Sequence, residues 1–150
     1  LDIGCAKGYL VQKLRRQGVD CYGTDVSRHA IAASPPDIRP YLQVANITHQ
    51  NFPNASFDLV LCLEVMEHLF PNVILAAIRE LYRLTSKYAF LTIAPPHNIH
   101  DVTHISLFPR TTWVKLFQEI GFKREPKLEN ILLQSKLPTI LDTNIFVFSK

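Results

Sequence analysis

Leu1-Asp2-Ile3-Gly4-Cys5-Ala6-Lys7-Gly8 opens the chain and decides how the rest of it is read. Leu1 and Ile3 flank Asp2 with the two-residue alternation of a strand. Gly4 and Gly8 permit backbone geometry and close approach that a side chain blocks. After Gly8 the period changes. Leu10, Val11 and Leu14 fall on one helical face, with Gln12, Lys13, Arg15 and Arg16 elsewhere, and Gly18 supplies a stop. A strand, a tight turn of bare main chain and a helix form a ligand cradle in doubly wound α/β folds.

Further along, residues 19–24 read as a second strand ending at Asp25, and Ser27 as the N-cap of a helix running through Ala33. Pro35, Pro36 and Pro40 break the chain, 41–45 form a third strand, and 46–56 a polar loop. Phe57-Asp58-Leu59-Val60-Leu61-Cys62-Leu63 is the clearest strand, an apolar run of the kind covered on both faces. Pro71 starts a helix whose stripe is Ile74, Ala77, Ile78, Leu81 and Leu84, reaching about Ser86. Residues 88–93 form a fifth strand, stopped by Pro95 and Pro96. After a loop at 96–108, Trp113, Leu116, Phe117 and Ile120 mark a helix that stops at Gly121. Residues 122–125 and 144–149 read as strands. Between them 126–143 shows no clear period, although Ile131 to Leu133 and Ile140-Leu141 are apolar. Strand and helix alternate through the first two-thirds, so the sheet is mainly parallel with helices on both faces. The closing strands have no long helix between them and are expected as an antiparallel pair at one edge.

A chain of 150 residues holds one domain, 1–150, with a real core. A hydrophobic fraction of 47% and a charged fraction of 19% argue against disorder. The net charge of +3 is mild, and the trio Lys13, Arg15, Arg16 reads as a solvated helix face rather than a nucleic-acid stripe. Cys5, Cys21 and Cys62 are odd in number and lie at no metal-ligand spacing, so buried thiols in a reducing, cytoplasmic compartment are expected. No apolar run reaches membrane-spanning length and no signal peptide is visible. Because Leu1 stands inside a motif, the expectation is a fragment whose natural chain continues upstream.

A nicotinamide site wants Gly-x-Gly-x-x-Gly. Counted from Gly4, the third position is Ala6 and the sixth is Tyr9. The stretch instead resembles motif I of the class I S-adenosylmethionine-dependent methyltransferases, acidic-x-Gly-x-Gly-x-Gly. Asp2, Gly4 and Gly8 match, and Ala6 replaces the middle glycine. Asp25 at the second strand's end, Phe52-Pro53 before Phe57-Asp58-Leu59-Val60, then Glu64-Val65-Met66-Glu67-His68-Leu69, and Gly121-Phe122 after the Trp113 helix continue the resemblance in order.

The resemblance implies a seven-stranded sheet of order 3-2-1-4-5-7-6 with strand 7 antiparallel, S-adenosyl-L-methionine as cofactor, and methyl transfer to an oxygen, nitrogen or carbon of a small molecule, with sugars and secondary metabolites as candidate acceptors. It also implies roles for particular residues. Gly4, Ala6 and Gly8 pass under the methionyl part, and Asp2 orients the turn or reaches the amino group. Asp25 and Val26 meet the ribose and one adenine face. Asn46 and Ile47 lie beside the adenine amine, the Asn46 oxygen accepting from it. Leu63 and Glu64 border the sulfonium and the substrate. Blander roles stand beside these: Asp2 and Asp25 as helix caps, Gly4 and Gly8 as turn residues, Glu67 and His68 as a solvated helix start.

The loop His97-Asn98-Ile99-His100-Asp101-Val102-Thr103-His104 could bind a divalent metal, but its spacing fits no standard site and no metal is expected. A general base for a hydroxyl acceptor is the second reading, with His104 as the candidate, and loop packing the third. Ala94-Pro95-Pro96-His97 follows the fifth strand, not the fourth, which argues against methylation of nucleic-acid base amines. Two rivals remain: a nicotinamide-dependent oxidoreductase on the same layered fold, and a non-catalytic module that keeps the cofactor site.

Overall fold

The computed structural model describes residues 1–98, 101–135 and 144–150. The elements are β1 (Asp2–Ile3), α1 (Tyr9–Arg16), β2 (Gly23–Asp25), α2 (Arg28–Ala32), β3 (Leu42–Val44), β4 (Phe57–Leu63), α3 (Pro71–Leu84), β5 (Thr85–Thr92), α4 (Arg110–Ile120), β6 (Lys123–Arg124), α5 (Pro126–Gln134) and β7 (Ile145–Ser149). The strands form one seven-stranded sheet in the order β3-β2-β1-β4-β5-β7-β6. Neighbours from β3 to β5 are parallel, and β7 runs antiparallel to β5 and β6. Both order and sense are those the resemblance implies.

The chain travels from β1 outward to β3, returns to β4, and then moves the other way. With right-handed crossovers, that reversal places α1 and α2 on the face opposite α3. It also opens a crevice at the carboxyl ends of β1 and β4, where the strand order switches. A small core cluster joins Cys5, Val11, Cys21, Ile31, Ile38 and Leu42. The larger one packs Ile74, Ala77, Ile78 and Leu81 of α3 and Trp113 and Phe117 of α4 on Val60, Cys62, Ala89, Leu91, Phe146 and Phe148. Each buried large side chain there contributes about 2 kcal/mol of transfer free energy. All three cysteines are buried and free.

The loop after β3 is clamped to α3 by charge. Arg83 donates to the carbonyls of Phe52 (2.7 Å) and Gln50 (3.0 Å) and to both oxygens of Glu80 (2.7 Å each). Glu80 also accepts the Gln50 N–H at 2.7 Å. This clamp fixes the segment that carries Asn46 and Ile47.

Three expectations need correction. Strand β4 is not covered on both faces: Leu59 is 44% exposed and its register partner Tyr88 41%. A groove of about 430 Å³ lined by Leu14, Val19, Tyr22, Phe57 and Leu59 stays open beside it. Helix α3 ends at Leu84 and β5 begins at once, because the Thr85 hydroxyl donates to the Leu81 carbonyl at 2.7 Å while its backbone is already extended. And a helix of 9 residues, α5, lies between the closing strands, which nevertheless form the expected antiparallel pair at the sheet edge. Pro126 occupies its first turn, and Glu129 anchors it by accepting from Arg110 (2.8 Å), Arg124 (2.7 Å) and the Val147 N–H (3.2 Å). A buried carboxylate rather than an apolar stripe holds α5, which is why periodicity misses it. Ile140 and Leu141 lie outside the described residues.

Candidate active site at the switch between β1 and β4

A cavity of about 290 Å³ sits at the carboxyl ends of β1, β2 and β4. Gly4, Asp25, Val26, Asn46, Ile47 and Glu64 line it together with Thr24, Val65, His68 and Leu69. Six of the ten cofactor residues expected from the sequence therefore meet in one crevice. Asp2, Ala6, Gly8 and Leu63 are not among the lining residues.

The turn explains the division. Gly4 has φ +81°, and a Cβ there overlaps Val65 Cγ2, so bare main chain is required at the cavity floor. Gly8 has a different reason to be glycine. It is the N-cap of α1, and a Cβ on it lies 2.6 Å from side-chain atoms of Ile38 and of Leu42. Ala6 adopts φ +48°, in the left-handed region that costs an L-residue about 1 kcal/mol. Its N–H donates to Asp25 Oδ2 at 2.8 Å. Asp25 Oδ1 accepts the Ser27 N–H at 2.7 Å, and Ser27 caps α2 through the Ala30 N–H. A carboxylate has about four acceptor positions. Two hold the backbone on either side, and two are left for a diol. Asp25 thus steadies the residue that caps α2 and still has acceptor positions free toward the crevice.

Asp2 is 4% exposed, and burial pushes its carboxyl up to about 6. The Thr24 hydroxyl is buried in the wall with no partner among the described residues. An orphaned hydroxyl, an anchored carboxylate with spare lone pairs, the exposed apolar Val26 and the buried Ile47 together fit an adenosyl ligand.

Two expectations fail locally. The Asn46 oxygen accepts both the N–H and the hydroxyl of Thr48, at 3.0 Å each, in an Asx turn. It has no lone pair left for an amine, and only its amide N–H groups remain available. Glu67 is no solvated helix start: it is fully buried in a short 3-10 turn, Met66–His68. Its Oε1 accepts the Ala94 N–H at 2.8 Å, and its carbonyl accepts from Ile105 and Ser106 at 2.8 Å each. Burial, reinforced by nearby Glu64, raises its carboxyl above the ordinary range.

Beside the first cavity lies a more open one of about 620 Å³, lined by Glu64, His68, Asn98, Asp101, Val102 and His104. Glu64 and His68 line both. Glu64 sits at the exit of β4 with φ +53°, its N–H held by the Thr92 carbonyl at 3.0 Å. A non-glycine residue in that conformation is strain of the kind found at working sites. The His68 and His104 rings meet edge to face with centroids 4.8 Å apart. His104 Nδ1 lies 3.2 Å from the Asn98 carbonyl and its Nε2 3.6 Å from Asp101 Oδ2. His100 is outside the described residues; among those described, no group of three or more His, Cys, Asp or Glu is placed to hold a metal. His68, Thr24, Val65 and Leu69 are cavity residues that the sequence reading leaves out. The signal for His68 is its place one turn beyond the strand exit.

Comparison with known proteins closes the question of family. Residues 1–93 match the model of a family described as a methyltransferase domain. A ubiquinone biosynthesis O-methyltransferase of Paracidovorax citrulli is 35% identical over 77 residues, 46% of this chain and 32% of that protein. One from Acinetobacter baylyi is 30% identical over 102 residues, 62% of this chain and 42% of that protein. The chain thus spans less than half the length of these curated relatives. Among solved structures, an S-adenosylmethionine-dependent methyltransferase from Archaeoglobus fulgidus superposes with a TM-score of 0.75 at 15% identity, covering 99% of this chain and 84% of that one. No helix among the described residues is long and apolar enough to cross a membrane. The β-strand order, the crevice at its switch point and the match over more than half of the sequence agree: the chain belongs to the methyltransferase domain family.

Proposed function

We propose that this domain transfers a methyl group from S-adenosylmethionine to a hydroxyl oxygen of a small molecule, with an aromatic hydroxyl as the first class to test. The observation that carries the reading is the pair of adjoining cavities sharing Glu64 and His68 at the end of β4. One suits a nucleoside. The other is wide, open and lined by imidazole and carboxylate groups with the exposed Val102 at its edge. The names of the relatives supply oxygen as acceptor atom and an aromatic setting.

In this reading Asp25 accepts both ribose hydroxyls with its two spare positions, Val26 and Ile47 flank the adenine, and Asn46 offers its amide N–H. Gly4 lets the methionyl part lie on main chain. Asp2, Ala6 and Gly8 hold the turn beneath it, and Leu63 and Glu64 border the reacting carbon. The cofactor supplies a methyl group made electrophilic by a sulfonium. The chain aligns the acceptor behind that carbon and receives the hydroxyl proton on one member of the His68–His104 pair. The buried thiols support a reducing, cytoplasmic setting. Calorimetry with S-adenosylmethionine, followed by labelled-methyl transfer to a panel of mono- and dihydroxybenzenes, tests the proposal. One-to-one binding and a methyl ether product are expected; absence of binding sinks it.

A further inference from the structure

We infer that His68, through Nε2, is the group that takes the proton from the acceptor hydroxyl, with Thr103 and Asp101 fixing its tautomer and His104 bracing its ring. This rests on the methyl-transfer reading above and decides between the two imidazoles.

Hydrogen-bond bookkeeping makes the distinction. His68 Nδ1 lies 3.1 Å from both the carbonyl and the hydroxyl oxygen of Thr103. The Thr103 hydroxyl donates its hydrogen to Asp101 Oδ1 at 2.6 Å, so both oxygens facing Nδ1 are acceptors. Nδ1 therefore carries the hydrogen, and in the neutral ring the lone pair is on Nε2. Asp101 also accepts the Thr103 N–H at 2.9 Å. The two bonds from Thr103 hold its carboxyl below the ordinary range, so it remains an acceptor. No described residue bonds His68 Nε2, and the ring borders both cavities. His104 differs on each point. Its side chain is 6% exposed, Nδ1 faces the Asn98 carbonyl, and Nε2 faces Asp101 Oδ2. Its place is against the edge of the His68 ring.

The step balances. The acceptor oxygen forms a bond to the methyl carbon, the carbon–sulfur bond breaks with its electron pair going to sulfur, and the hydroxyl proton passes to Nε2. A neutral thioether, a methyl ether and an imidazolium result. Titratable groups facing His68 are Glu64 from the exit of β4, Asp25 across the shared cavity, and Asp101 and His104 from the loop before α4, with Glu67 next in sequence.

The test compares the full chain with H68Q, H68A and H104Q, using labelled S-adenosylmethionine and catechol. H68Q is expected to lower kcat by about 100-fold or more while the cofactor Kd stays within about threefold. It should also abolish the rise of kcat with pH that H104Q retains. Added imidazole should restore turnover to H68A. Equal kcat in H68Q and wild type, loss of the pH limb in H104Q alone, or no rescue of H68A overturns the assignment and leaves the methyl-transfer reading standing. A wild-type chain that binds cofactor yet methylates no hydroxyl acceptor overturns both.

Discussion

Asp25 Oδ2 accepts the main-chain N–H of Ala6 at 2.8 Å, so the tip of β2 and the turn after β1 are one unit. The carboxylate holds the turn in the shape that leaves the crevice floor bare, and it keeps spare lone pairs facing the same crevice. Removal of this one side chain therefore acts twice.

Asp25→Ala should weaken S-adenosylmethionine binding by about 100-fold, the loss of charge-assisted bonds to two hydroxyls at about 1.5 kcal/mol each. It should also lower stability by about 2 kcal/mol, because the N–H groups of Ala6 and Ser27 lose their acceptor. Asp25→Asn keeps one acceptor oxygen and should fall between. Calorimetry and urea unfolding on the same preparations check this; unchanged affinity contradicts the site assignment.

Asp2 should make the domain less stable as pH rises. Its carboxyl is pushed by burial from 3.8 to about 6, so the fold favours the protonated form. That stabilisation is fully present below about pH 3.8 and is lost as pH rises through about 6, an interval worth about 3 kcal/mol. Asp2→Asn cannot titrate. The difference in unfolding free energy between variant and wild type should therefore grow in the variant's favour from pH 4 to pH 7. Parallel pH profiles contradict the assignment.

Arg83 acts on the cofactor from a distance. Arg83→Ala removes the clamp on the loop carrying Asn46 and Ile47 and leaves Glu80, whose side chain is 10% exposed, without its cation. Stability should fall by about 2–3 kcal/mol, and cofactor affinity by a few-fold through the loosened wall. Arg83→Lys should recover little, because an ammonium cannot reproduce the forked contacts. Affinity that is unchanged while stability drops separates the two effects and would place the loop outside the site.

Much of the layered fold was legible because burial imposes period. β4, α3 and α4 announce themselves by Val60 and Cys62, by Ile74, Ile78 and Leu81, and by Trp113 and Phe117, all buried as the pattern requires. The glycine turn was legible because positive φ at Gly4 and Gly8 selects the residue type. What escaped reading is held by polar contacts that leave no period. Glu129 fixes α5 through two guanidinium groups, Glu67 disappears into the interior by accepting one N–H, and Thr48 occupies the oxygen of Asn46. The choice between His68 and His104 likewise turns on which nitrogen each has free, and that depends on Thr103, Asp101 and Asn98 in space.

The most direct test of the central claim is a crystal structure of the chain soaked with S-adenosylhomocysteine. The account requires the ribose hydroxyls within hydrogen-bond distance of Asp25, the adenine between Val26 and Ile47, and the sulfur beside Glu64 and His68. A ligand bound elsewhere, or a crevice left empty at saturating concentration with Asp25 bonded only to Ala6 and Ser27, contradicts it.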